Sequence, residues 1–217
     1  MSLLDAWRAY VAPVLLWCGP VLEVAILIGL TLRARLRLCL TLPVFLIATL
    51  TTTTLAGLCA ACVTWEFWNA KELLHAALML AMGLELSARL FRGLPYSQAK
   101  ARRRIVGVLA LTGILLATAP VGPTSVVLLP RLVTGLAWLY FGLWLVVRSS
   151  RLTVEPLHAA VLNGLTPWLL AYALTWGLAA ENTALPNVLM PVLSALVLVL
   201  LLKAAWRRAS ETAATTS

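Results

Sequence analysis

The feature that most constrains this chain is a succession of unbroken apolar runs joined by short links. A bilayer core roughly 30 Å thick takes about 20 apolar residues per crossing helix. Seven runs approach that length: Tyr10–Leu32, Leu38–Val63, Trp68–Phe91, Ile105–Val121, Val126–Val147, Leu157–Ala180 and Asn187–Trp206. Strands of a membrane barrel alternate apolar and polar residues, and these runs do not, so helices are expected. A soluble fold has no means of hiding the excess. Of 217 residues, 62% are hydrophobic and 12% are charged, where an average soluble chain is about a quarter charged. The expected fold is all-α: one polytopic transmembrane bundle of seven helices over residues 1–208, then a disordered tail over 209–217.

Charge placement orients that bundle. The links after the first, third and fifth runs, with the C-terminal tail, hold Arg33, Arg35, Arg37, Arg89, Arg92, Lys100, Arg102, Arg103, Arg104, Arg148, Arg151, Lys203, Arg207 and Arg208. The other side holds only Arg8, Lys71 and Arg131. Basic residues gather in cytoplasmic links, so the N-terminus is expected outside and the C-terminus in the cytoplasm. Such segregation requires an odd number of crossings. The net charge of +9 then belongs beside anionic headgroups rather than nucleic acid, which would need a soluble basic surface. The first run carries its arginines after the apolar stretch, not before it, so it reads as a retained helix rather than a cleaved signal. The Leu/Ala/Arg bias and the lack of an Asn-x-Ser/Thr sequon suit a multi-pass protein of a bacterial inner membrane.

Ionisable groups inside a span are expensive and are candidates for function. Glu23 lies near the middle of the first run with no basic residue close in sequence. A carboxyl there stays protonated or finds a partner, and the Thr51–Thr54 run of the second span is one source. The third run carries Glu72, His75, Met79, Met82, Glu85 and Arg89, spaced 3, 4, 3, 3 and 4. That spacing places them on one helical face. The face suits a ligand or proton-linked site facing the bundle interior, with Glu23 at the depth of Met79 and Met82. The plainer reading is that Glu85 and Arg89 form an ordinary i, i+4 pair and that the methionines pack.

Cys59 and Cys62 stand at redox spacing, and in an oxidising compartment they would cycle between dithiol and disulfide. With Cys18 and His75 they are also weak candidates for a soft-metal site. Packing is the better reading, because a relay of electrons calls for a second pair and Cys39 lies at the opposite face. No cofactor is expected. His75 and His158 each begin a span of opposite direction, which argues against one haem held by both. Trp7, Trp65, Trp68, Trp144 and Trp206 mark interfaces; Trp17, Trp138, Trp168 and Trp176 lie deeper, where they would line a cavity.

From Arg33 to Arg104 the chain has a basic turn, Pro43 and Phe45 opening a helix, aromatic Trp65–Trp68, a helix with Glu72 and Glu85, and a basic loop. This stretch resembles a broad group of bacterial seven-helix membrane proteins with no assigned function. The resemblance implies a fold and no activity. With no nucleotide motif and no paired catalytic constellation, the leading expectation is a non-enzymatic sensor or accessory subunit. It would meet a protein partner in the membrane or at the basic cytoplasmic loops. The second expectation is a small transporter or metal- or proton-handling protein using Glu23 and the third-span face. The third is a membrane thiol-redox protein using Cys59 and Cys62.

Overall fold

A computed structural model describes residues 11–59, 61, 63–94, 98–117, 125–178 and 184–207, without the side chains of 12, 13, 15, 16, 125–131, 176–178 and 184–187. The expected tail, Cys62 and the links around Pro123 and Glu181 lie outside the described residues. The described chain is all-α, with no strand. Its helices are α1 (Ala12–Leu32), α2 (Thr41–Leu58), α3 (Trp65–Gly93), α4 (Ala99–Ala117), α5 (Ser125–Ser149), α6 (Pro156–Leu178) and α7 (Ala184–Trp206), with a 3-10 turn at Leu36–Leu38.

Among the described residues, five helices are long and apolar enough to cross a membrane: α2, α3, and the stretches Leu132–Ser149, Pro156–Thr175 and Val188–Trp206 of α5, α6 and α7. The apolar part of α1, Trp17–Leu32, is shorter. The fourth element differs from its expected bounds. It starts at Ala99, and its first turns carry Lys100, Arg102, Arg103 and Arg104. Those charges were expected in a loop; four residues with good helix propensity extend the helix instead.

Six helices close a ring in the order α1, α2, α3, α5, α6, α7, and α7 returns to α1. Helix α4 stands outside it, packed mainly on α5. Small residues allow that approach: a Cβ at Gly142 would lie 2.7 Å from Val108 Cγ1, and one at Gly135 2.7 Å from Leu116 Cδ2. Close helix contact at small residues replaces the hydrophobic drive that lipid removes.

The basic links meet at one end of the ring. Arg35 is buried there and donates to the carbonyls of Ala204 and Arg207, both at 3.0 Å, while pairing with Glu155 at 3.5 Å. Arg89 donates to the Arg37 carbonyl at 2.8 Å, and Arg104 to Ser149 Oγ at 2.9 Å. Below this end the core is continuous, from Ile26 and Leu30 through Leu46, Met82, Leu86, Leu139 and Tyr140 to Leu169 and Leu201.

Candidate functional site

The ring is not filled along its whole length. A cavity of about 280 Å³ lies inside it, lined from all six ring helices and from none of α4. Glu23 comes from α1, Phe45, Thr49 and Thr53 from α2, and Lys71, Glu72, His75, Ala76 and Met79 from α3. The remaining wall is Val133 of α5, Leu165, Trp168 and Tyr172 of α6, and Ser194, Val197 and Leu198 of α7. Its size falls near the lower end of small-molecule sites.

Glu23 is 5% exposed, and among the described residues its Oε2 has no hydrogen-bond partner. Helix α1 explains its position. Val14, Trp17, Val21, Val24 and Ile28 occupy the outward face, so the one acid in the apolar run turns to the inside. The threonine run does not supply the expected partner. Thr53 reaches the cavity wall, Thr52 Oγ1 lies 3.4 Å from His75 Nε2, and Thr51 bonds back to the Ile47 carbonyl at 2.8 Å.

Most other polar groups of the wall are engaged. Lys71 Nζ pairs with Glu72 Oε1 at 3.7 Å and sits 4.1 Å from the centre of the Trp68 ring. Tyr172 Oη donates to Glu72 Oε2 at 3.4 Å. Trp168 Nε1 donates to Ser194 Oγ at 2.9 Å. The Trp168 and Tyr172 rings stack with centroids 5.2 Å apart, and Phe45 meets His75 edge-on at 5.8 Å.

The third-span face is divided by depth. Glu72, His75 and Met79 share the cavity with Glu23. Met82, fully buried, belongs to the core. Glu85 is not brought to this site: it accepts from Leu40 N at 2.9 Å, Thr41 N at 3.0 Å and Thr41 Oγ1 at 2.7 Å, and from Arg89 Nη2 at 2.7 Å. It therefore caps the start of α2. Nor do Glu23 and α3 meet along a helix seam: α1 packs on α2 and α7, and α3 on α2 and α5, so they face each other across the cavity.

The cysteines are not all packing residues, as the preferred reading had them. Cys18 is exposed on α1, Cys59 is disulfide-bonded, and Cys62 lies outside the described residues. Cys39 is buried in the turn before α2, and burial pushes its thiol up from 9.0 to about 11. Among the described residues no three His, Cys, Asp or Glu side chains gather as metal ligands. His158 Nε2 lies 2.6 Å from the Leu38 carbonyl at the basic end, far from the His75 site. Of the deep tryptophans, Trp168 lines the cavity, Trp17 and Trp138 face outward, and the Trp176 side chain is outside the described set. Sequence reasoning missed Lys71, Tyr172 and Ser194 as wall residues. The i, i+4 spacing of Trp168 and Tyr172 was a usable signal; for Ser194 there was only its polarity within an apolar run.

Fold and cavity together describe a helical membrane protein whose ring encloses a largely apolar chamber with a few polar groups on its wall. Family models, curated proteins and solved structures give no match to this chain.

Proposed function

We propose that this protein crosses the membrane seven times, N-terminus outside, and handles a small solute in the chamber around Glu23, as a transporter or as a solute sensor. This favours the second expectation over an accessory subunit with no ligand of its own. One observation carries it: a carboxyl oxygen buried without a partner on the wall of a cavity. Leaving such a group unsatisfied costs on the order of 1–3 kcal/mol by mutational measures, and a void of this size forfeits packing contacts as well. A purely structural bundle would have filled the space with apolar side chains. A chamber that admits a solute keeps both features.

The chamber must then be reachable by water-borne molecules. In a background lacking reactive cysteine, Thr53→Cys and Ser194→Cys are expected to react with a small, polar thiol reagent in intact membranes. Val24→Cys, on the outward face of α1, is expected not to. Equal protection of all three positions would mean a sealed void, and the reading would fall.

A further inference from the structure

We propose that the chamber selects a small organic cation: a positively charged nitrogen carried on a compact apolar or aromatic body. The proposal rests on the chamber being a solute site and names the class of solute.

Charge gives the first argument. Among the described residues the wall carries the acids Glu23 and Glu72 and the base Lys71, with His75 beside them. Lys71 and Glu72 pair with each other, and Glu72 also accepts a hydrogen bond from the Tyr172 hydroxyl. What remains for a ligand is the buried Oε2 of Glu23. Among the described residues no donor meets it, and such an acceptor fits a cation.

The second argument is the surface around that acceptor. The indole N–H of Trp168 is spent on Ser194 and the hydroxyl of Tyr172 on Glu72. With those polar atoms engaged, Trp168 and Tyr172 have left for a solute their ring carbon and the face that each does not stack against the other. Aromatic faces attract cations by their quadrupole, most strongly when water is excluded. Met79, Leu165, Val197 and Leu198 complete an apolar wall. A bare metal ion finds too few oxygens here, since hard cations take six or more. A cation that brings its own hydrocarbon uses both the carboxylate and the rings.

Size gives the third. Helix rise sets Glu72 and Met79 about 10 Å apart along α3. That span and about 280 Å³ admit a single ring with a substituted ammonium group.

The test uses purified full-length protein in lipid nanodiscs and three probes of one shape: benzyltrimethylammonium, its neutral carbon isostere neopentylbenzene, and the anion phenylacetate. Equilibrium dialysis should show saturable binding of the cation, at least tenfold tighter than either comparison probe. Glu23→Gln, which keeps shape and removes charge, should weaken it at least tenfold, and Trp168→Leu several-fold. Glu23→Asp should retain part of the binding and shows that loss in the Gln variant is not misfolding. Thr53→Leu, which narrows the chamber and leaves Glu23 in place, should block whichever probe enters. If the neutral or anionic probe binds as well as the cation, and Thr53→Leu blocks it, the chamber is a solute site and the cation class is wrong. If the cation binds but Glu23→Gln leaves it unchanged, the proposal is overturned. If no probe binds in a Thr53→Leu-sensitive way, the underlying solute-site reading fails with it.

Discussion

Glu85 of α3 holds Thr41 of α2 through both its backbone N–H, at 3.0 Å, and its hydroxyl, at 2.7 Å. The residue before it, Leu40, occupies the cap position and has no side chain able to accept a bond. Helix α2 thus borrows its N-terminal cap from a neighbour, and a carboxylate is the favoured group beside a helix N-terminus. Glu85→Ala should lower stability by about 1–3 kcal/mol, read as a lower midpoint of thermal unfolding in nanodiscs. Thr41→Val, which loses only the hydroxyl bond, should cost less. An unchanged midpoint in Glu85→Ala would mean the cap contributes nothing.

This contact shows what a stripe in the sequence conveys and what it omits. Spacing placed Glu72, His75, Met79, Met82 and Glu85 on one face of α3 because a helix repeats its angle every few residues. It carried no information on what stands opposite at each depth. Glu72 and Glu85 are separated by roughly 20 Å of helix; one meets a chamber and the other meets the turn before α2. Glu23 was legible for a simple reason: an acid in an apolar run must face inward. Tyr172 and Ser194 became wall residues through the order of helices around the ring, which depth along a span does not encode. Trp17 and Trp138 failed as cavity residues for the same reason, since their depth was readable and their direction was not.

Arg35 and Ala34 give the second prediction. Ala34 follows α1 with φ 52°, and Arg35 N–H bonds the Leu30 carbonyl at 2.8 Å. This left-handed end, usually glycine's place, turns the Arg35 side chain into the gap between α6 and α7. There it closes the C-terminus of α7 through the Ala204 and Arg207 carbonyls. Arg35→Ala should cost about 2–3 kcal/mol, the range for hydrogen bonds to a charged group. Arg35→Lys should recover only part of that, because an ammonium cannot span both carbonyls. Ala34→Gly should raise the unfolding midpoint, relieving roughly 1 kcal/mol of left-handed strain. A lower midpoint in Ala34→Gly would contradict that account of the turn.

Topology is tested by fusion. The basic links share one end of the ring through the Arg35–Arg207 and Arg89–Arg37 contacts, and the proposed orientation, drawn from the positive-inside rule, puts that end in the cytoplasm. A phosphatase active only outside the cytoplasm should work when fused after Glu181 and fail after Arg104 or Ser217. Activity in the reverse pattern would invert the orientation.

The last prediction concerns Cys39, whose Sγ lies 3.7 Å from both Thr41 Oγ1 and Glu85 Oε2 in the turn before α2. It is 1% exposed, and burial, with the Glu85 carboxylate also opposing a second negative charge, holds its thiol at about 11 against an ordinary 9.0. Thiolate is the reactive form, so the folded protein should resist alkylation at Cys39 through pH 9 and be modified once unfolded; peptide mass spectrometry reads both. The linkage has a definite sign. Because the folded pKa is raised, the unfolded chain loses this proton first. The stability Cys39 contributes is therefore complete below pH 9 and is lost as pH rises through about 11. Cys39→Ser, which lacks a proton that titrates in this range, should flatten that part of the stability profile. If wild type and Cys39→Ser fall together between pH 9 and 11, the decline belongs to other groups and Cys39 is not its source.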